Sequence, residues 1–189
     1  MNKEVVQKAL DMNEEYMLNG FRQYSKGCEY FVESGARLGK GVYKAIAIDR
    51  FEQFFTCELD TACYQHCVDE FSDYDNIKIY GGYSTDAFTI LLPQLNKKTF
   101  FYLDAHDEGG GSYALHAPLP TYGELDLIKE LCSSNNHHIL IDDIPIYFPD
   151  PPVKLEEMLL DINPNYIIER YEGHRIPGYQ MAAYLNEED

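Results

Sequence analysis

Short apolar runs of strand length alternate with amphipathic runs of helix length along this 189-residue chain, and that alternation constrains the fold more than any other feature. Cys28–Glu33, Phe54–Leu59, Ile77–Tyr80, Lys98–Asp104 and His138–Ile141 read as strands, and Thr61–Phe71, Asp86–Leu95 and Val153–Leu160 as helices. A parallel connection needs a crossover of a dozen or more residues, so strands separated by helical segments favour parallel pairing. The spacing predicts an α/β fold with helices on both faces of a sheet. Two further strands, Tyr166–Arg170 and Gln180–Leu185, are separated only by the glycine- and proline-containing segment 171–178, which predicts an antiparallel hairpin at or near one edge.

Ahead of the first strand, Val5, Ala9, Met12 and Tyr16 form one row and Val6, Leu10, Met17 and Phe21 another, mostly at spacings of three and four. Residues 3–24 are therefore expected to form a helix ending near Gly20 or Lys26. The chain divides into this N-terminal helix, 1–26, and a single domain, 27–189. Thr121-Tyr122-Gly123-Glu124 has capping-box spacing and is expected to open a helix through Leu131.

Fifteen basic against 32 acidic side chains give a net charge of −17, a surface that repels phosphate polymers and anionic lipid. The densest basic spot is Asn96-Lys97-Lys98, so nucleic acid is not an expected partner. No stretch of 18 or more apolar residues offers a membrane span, and the first residues lack the apolar core and cleavage site of a secretory signal. The expectation is a soluble, cytoplasmic protein without a membrane partner. Cys28, Cys57, Cys63, Cys67 and Cys132 contain no C-x-x-C pair and sit mostly among apolar neighbours, so they read as reduced core thiols rather than a zinc site.

In open α/β sheets ligands bind at the carboxyl ends of the strands, near the point where strand order reverses. Residues 33–41, Glu58, 81–84, 104–106 and 142–143 occupy those ends and are rich in glycine and carboxylate. The turn Glu33-Ser34-Gly35-Ala36-Arg37-Leu38-Gly39-Lys40-Gly41 has the spacing G-x-x-x-G-x-G. A dinucleotide fingerprint needs G-x-G-x-x-G, and Arg37 stands at its second glycine; a P-loop needs four residues between glycines and a Ser or Thr after the lysine. Neither diphosphate pattern fits. Glu58, 23 residues beyond Gly35, ends the second strand, where an acid accepts hydrogen bonds from both hydroxyls of a ribose. A nucleoside without a pyrophosphate is the ligand so suggested, although Glu58 and Asp60 also suit capping of the helix that follows.

The succession Glu33-x-Gly35-x-x-x-Gly39-x-Gly41, Glu58, Tyr80-Gly81-Gly82-Tyr83-Ser84, Asp104-Ala105-His106 and Ile141-Asp142-Asp143 resembles class I S-adenosylmethionine-dependent methyltransferases. It is most similar to their small-molecule, metal-dependent O-methyltransferase branch, over roughly residues 28–185. The resemblance implies a Rossmann-like, doubly wound, seven-stranded sheet in the order 3-2-1-4-5-7-6, mostly parallel with an antiparallel last strand. It also implies that Glu33, Gly35, Ala36 and Gly39 surround the methionine end of the cofactor, that Glu58 and Leu59 hold the ribose side, and that Gly82, Tyr83 and Ser84 flank the adenine. Members often carry an acid where Tyr83 stands, so adenine is expected to stack there instead.

Asp104 closes the fourth strand and Asp142-Asp143 the fifth; if those strands are neighbours, three carboxylates converge and call for a cation. The resemblance places Asp104, Asp142 and Asp143 on the positions that bind a divalent metal such as Mg²⁺, Mn²⁺ or Ca²⁺. Asp104 and His106 are the candidate catalytic residues, His106 either as general base or as a nitrogen ligand favouring Mn²⁺, Fe²⁺ or Zn²⁺. The bland alternatives are a turn-capping Asp142, a solvated Asp143 and a His106 bonded to backbone. The glycine-rich stretch from Asp107 to Pro120 is a candidate lid, 145–152 with Tyr147 and Phe148 a facing wall, and His116, His174 and Arg175 candidate substrate contacts. His137 and His138 read as structural. The function expected is methylation of a small-molecule hydroxyl, on a sugar or secondary metabolite. The rivals are a noncatalytic nucleoside-binding module and a nicotinamide-dependent oxidoreductase, and the first helix is a candidate dimer contact or site cover.

Overall fold

The structure is a computed structural model, and the residues described are 15–106, 119–132, 136–148, 151–171 and 179–186. In chain order the elements are α1 (Glu15–Tyr24), β1 (Tyr30–Ser34), α2 (Lys40–Ile48), β2 (Gln53–Glu58), α3 (Thr61–Glu70), β3 (Ile77–Gly81) and α4 (Ser84–Leu91). They continue with β4 (Thr99–Leu103), α5 (Pro120–Cys132), β5 (His138–Ile141), the single turn α6 (Ile144–Tyr147), α7 (Val153–Ile162), β6 (Ile167–Tyr171) and β7 (Gln180–Tyr184). One seven-stranded sheet runs in the order β3-β2-β1-β4-β5-β7-β6. Strands β1 to β5 pair in parallel, and β7 lies antiparallel to both β5 and β6. This is the doubly wound sheet with a reversed last strand.

The period of two in each strand sorts side chains onto opposite faces. Val32, Phe55, Phe101, Leu103, Ile139, Ile141 and Met181 enter one core, closed by Phe88 and Leu91 of α4, Leu125 and Ile128 of α5, and Leu155 and Leu159 of α7. Phe31, Phe54, Phe100, Tyr102 and Leu140 enter the other, closed by α1, α2 and α3. Because both faces are covered, each central strand carries a continuous apolar run (Phe31-Val32, Phe54-Phe55, Phe100-Phe101 and Ile139–Ile141) rather than a strict alternation of apolar and polar residues. Phe21 fixes α1 to the second face: its ring lies 5.5 Å from Phe31, 5.4 Å from Phe100 and 4.8 Å from Tyr102, centroid to centroid. The described part of the N-terminal helix thus shares a core with the sheet; residues 1–14 lie outside the described residues.

Three local expectations are corrected. Helix α4 starts at Ser84, two residues before the expected Asp86, and gives way at Leu92–Gln94, around Pro93, to a 3₁₀ turn. The one-turn helix α6 was not anticipated. The capping box does not form: α5 already begins at Pro120, a residue suited to a first helical turn, so Thr121 lies inside the helix. Thr121, Glu124, Leu125, Ile128 and Cys132 make its buried stripe. The five cysteines are thiols rather than disulfides, and burial pushes Cys67 and Cys132 up to about 12, far from a reactive thiolate. Lys97 is paired with Glu29 and Glu52, which neutralises half of the only basic doublet. Among the described residues no helix is long and apolar enough to cross a membrane.

Replacing Phe21 by Ala removes a fully buried ring that three aromatic side chains enclose. The expected cost is about 3–5 kcal/mol of unfolding free energy, measured by urea denaturation.

Candidate functional site

Strand order reverses between β1 and β4, and the loops leaving their carboxyl ends abut. Gly35 adopts φ +84°, and a Cβ added to it would lie 2.5 Å from the Asp104 carbonyl oxygen. The glycine is therefore required by its left-handed backbone and by the chain beside it. The space it opens is filled by Asp104 rather than left for a ligand. Gly39, at φ +76°, similarly faces the Phe71 ring. The turn is bound to β2 by two hydrogen bonds, the Gly35 and Ala36 N–H groups both donating to the Cys57 carbonyl at 3.0 Å.

Glu58 points at this turn. Its Oε2 accepts the Arg37 N–H at 2.6 Å and its Oε1 the Asp60 N–H at 2.7 Å. Asp60, not Glu58, caps α3, accepting from the N–H groups of Ala62 and Cys63. Beside Glu58 stand Leu59, 39% exposed, and Tyr83, 51% exposed, two large apolar side chains at the ends of adjacent strands. The Gly82 N–H donates to the Glu58 carbonyl at 2.9 Å, and the space where its Cβ would lie is open. Ser84 is buried in the first turn of α4. Glu33 turns the other way, buried beneath α2 against Gly41, with the Thr56 hydroxyl donating to its Oε2 at 2.7 Å. Burial pushes its carboxyl up to about 8, so it is mostly protonated at neutral pH.

At the ends of β4 and β5 the structure brings together Asp104, His106 and Asp143, each offering a ligand atom within 4.8 Å of the others'. Asp142 is not in that group. The Tyr102 hydroxyl donates to its Oδ2 and the Asp143 N–H to its Oδ1, and burial raises its carboxyl above the ordinary range. Asp142 thus positions the next residue. Asp143 takes φ 55°, a left-handed conformation that aspartate tolerates better than most residues, and the Tyr179 hydroxyl bonds to its carboxylate. Tyr179 meets Tyr16 of α1 edge-to-face at 6.3 Å, so the first helix reaches this end of the sheet.

His106 has a side chain only 1% exposed, with Nδ1 3.8 Å from Asp104 Oδ1 and Nε2 3.3 Å from the Thr121 hydroxyl. Its ring stacks on Tyr147 at 4.6 Å and meets Phe148 edge-on at 5.9 Å. Burial lowers its pKa, outweighing the nearby carboxylates, so the ring is neutral. Tyr147 and Phe148, expected to form a facing wall, pack on the His106 ring. His137 and His138 are structural: His137 Nδ1 accepts the Thr99 N–H, and His138 bonds the Tyr24 carbonyl and the Leu185 N–H. Of the candidate lid from Asp107 to Pro120, residues 107–118, with His116, lie outside the described residues, as do His174 and Arg175.

Sequence reasoning assigned Glu124 to a cap and missed its position. It is fully buried on the same face of α5 as Thr121, and among the described residues neither carboxylate oxygen has a hydrogen-bond partner of good geometry. Ser84 and Ser34 face it and temper the effect, yet burial still pushes it up to about 7. The signal was available: an acid in the apolar stripe of Leu125 and Ile128 is out of place unless a buried site uses it.

Neither a scan against protein-family models nor a search of curated proteins by sequence returned a match. Solved structures do match. An O-methyltransferase from Bacillus cereus in complex with SAH superimposes with a TM-score of 0.57 at 15% identity, covering 97% of this chain and 92% of that one. The SAH-bound Podospora anserina methyltransferase PaMTH1 gives 0.56 at 13%, covering 97% and 87%. The precorrin-6y C5,15-methyltransferase from Geobacter metallireducens gives 0.57 at 15%, covering 91% and 86%. At these identities the likeness establishes the fold: the chain has the Rossmann-like fold of class I S-adenosylmethionine-dependent methyltransferases.

Glu124 titrates near 7 when folded against 4.5 as a free side chain, so the folded state holds the extra proton between those values. The stability that Glu124 contributes should fall as pH rises from 4.5 to 7 and then level off. Glu124→Gln should remove this loss, making the variant the more stable protein at pH 8 by on the order of 3 kcal/mol, measured by denaturation across the pH range.

Proposed function

We propose that this protein is an S-adenosylmethionine-dependent methyltransferase that acts on a hydroxyl group of a small molecule with the help of a divalent cation. The observation that carries this is Glu58, fixed by two backbone N–H groups and directed at the turn after β1, beside the exposed Leu59 and Tyr83. Each of its oxygens has a second lone pair, enough to accept from the two hydroxyls of a ribose. The open space at Gly82 and the apolar surfaces of Leu59 and Tyr83 suit the flat base of a nucleoside. No helix N-terminus with G-x-G-x-x-G spacing is present to receive a pyrophosphate, which weighs against a nicotinamide dinucleotide.

The donor set fits a cation as well. Asp104 and Asp143 offer hard oxygen donors, and beside them the buried Nδ1 of His106 has no hydrogen-bond partner among the described residues. When bound, the cofactor supplies an activated methyl group and the cation a positive charge that makes an acceptor hydroxyl easier to deprotonate. Asp104 and Asp143 would hold the cation, while Asp142 and Tyr102 keep Asp143 in place through its backbone. Asp104 lies on the loop that touches Gly35, so the chain itself sets cation ligands and cofactor turn side by side, the proximity an in-line displacement requires. Tyr147, Phe148 and Tyr122 give that end an aromatic border suited to a small organic acceptor, such as a sugar or secondary metabolite.

Calorimetry with SAH and with NAD tests the reading: SAH should bind and NAD should not. Glu58→Ala should weaken SAH binding roughly 10–100-fold through loss of charge-assisted hydrogen bonds, with little change in thermal stability. Methyl transfer to a polyol or catechol acceptor should stop on addition of EDTA. Failure of SAH to bind would remove the methyl-donor reading; SAH binding without turnover on any acceptor would favour the noncatalytic module.

A further inference from the structure

We propose that His106 is a ligand of the cation site through Nδ1, and that the site therefore selects Mn²⁺, Fe²⁺, Co²⁺ or Zn²⁺ over Mg²⁺ and Ca²⁺. This deepens the metal-assisted function above and rests on it. The sequence left two roles for His106, a proton acceptor or a nitrogen ligand, and the geometry favours the second. One oxygen from Asp104, one from Asp143 and a ring nitrogen of His106 lie within 4.8 Å of one another, with Nδ1 3.8 Å from Asp104 Oδ1. Bonds of about 2.0–2.2 Å to a common ion place ligand atoms about 3–3.6 Å apart, so small rotations of the two carboxylates complete the set.

A second observation is independent of the acidic pair. The His106 side chain is 1% exposed, and its Nδ1 is a buried polar atom with no hydrogen-bond partner among the described residues. Buried polar atoms are seldom left so in folded proteins, and those that are point to a missing ion or water. The ring cannot easily turn away: Tyr147 stacks on its face, Phe148 meets it edge-on, and Thr121 lies against Nε2. With the Nε2 proton donated to the Thr121 hydroxyl, Nδ1 keeps its lone pair toward the carboxylates. Metal-binding histidines are typically oriented by such a contact on their other nitrogen. An imidazole among the ligands then decides the metal, because Mg²⁺ and Ca²⁺ prefer an all-oxygen shell, whereas Mn²⁺ through Zn²⁺ accept nitrogen readily.

The test is pulsed electron paramagnetic resonance of the full chain loaded with Mn²⁺, paired with calorimetric titrations of Mn²⁺ and Mg²⁺. The expected spectrum carries a ¹⁴N modulation from a coordinated imidazole, and Mn²⁺ binds at least about tenfold more tightly than Mg²⁺. His106→Gln should abolish the modulation and weaken Mn²⁺ binding roughly 10–100-fold while leaving Mg²⁺ binding nearly unchanged; Thr121→Val should keep the modulation with a smaller loss. Mn²⁺ bound without nitrogen modulation overturns the proposal, as does Mn²⁺ that fails to bind or binds no better than Mg²⁺. The wild-type spectrum decides even if His106→Gln does not fold. SAH titrated into the same samples separates the two readings. SAH binding with no nitrogen signal sinks the ligand role alone, whereas a nitrogen signal without SAH binding sinks the methyl-donor reading alone.

Discussion

The contact between Gly35 and the backbone at Asp104 governs the geometry of the whole site. The carboxyl ends of β1 and β4 can lie this close only because Gly35 has no side chain and adopts φ +84°. Any other residue would need left-handed backbone and would also meet the Asp104 carbonyl. The two loops that leave these strands carry, respectively, the turn that Glu58 reaches and the first two members of the Asp104, His106 and Asp143 group. One van der Waals contact in the protein's interior therefore sets the separation between the two halves of the site.

Beneath that contact the protein stores acids it cannot easily ionise. Glu33 on one face of the sheet and Glu124 on the other are both buried and both raised, to about 8 and about 7. Asp142 is raised as well and bonded by Tyr102. Glu58, Asp104 and Asp143, at the carboxyl ends of the strands, are only partly buried. This division follows from dielectric: a charge is retained where water or a cation can reach it and is suppressed where neither can. The large negative charge of the chain is thus muted at the base of the site and expressed around it.

The sheet and its order were legible because strands covered on both faces leave continuous apolar runs, and because helices between them force parallel pairing. The hairpin of β6 and β7 was legible from one short connection. The place of Glu58, at the end of β2 and facing the glycine turn, was legible from its distance beyond that turn. What escaped was set by three-dimensional packing. Thr121 and Glu124 carry the spacing of a cap, but Pro120 starts the helix early and turns the same spacing into a buried stripe beside His106. Asp142 and Asp143 are adjacent in sequence and look equivalent; the approach of Tyr102 from β4 turns one into the interior, while the other lies beside Asp104 and His106. The aromatic packing that fixes His106 comes from a one-turn helix too short to leave a periodic pattern.

The left-handed backbone at Asp143 restricts which amino acids evolution can sample there. Asparagine and glycine share its tolerance for that conformation, while glutamate, which would preserve the charge, does not. The readiest neutral drift at this position is therefore Asp to Asn, a change that keeps the turn and removes a formal charge. The formal charge at the carboxyl end of β5 can therefore vary between relatives of this fold while the backbone of that turn stays as it is.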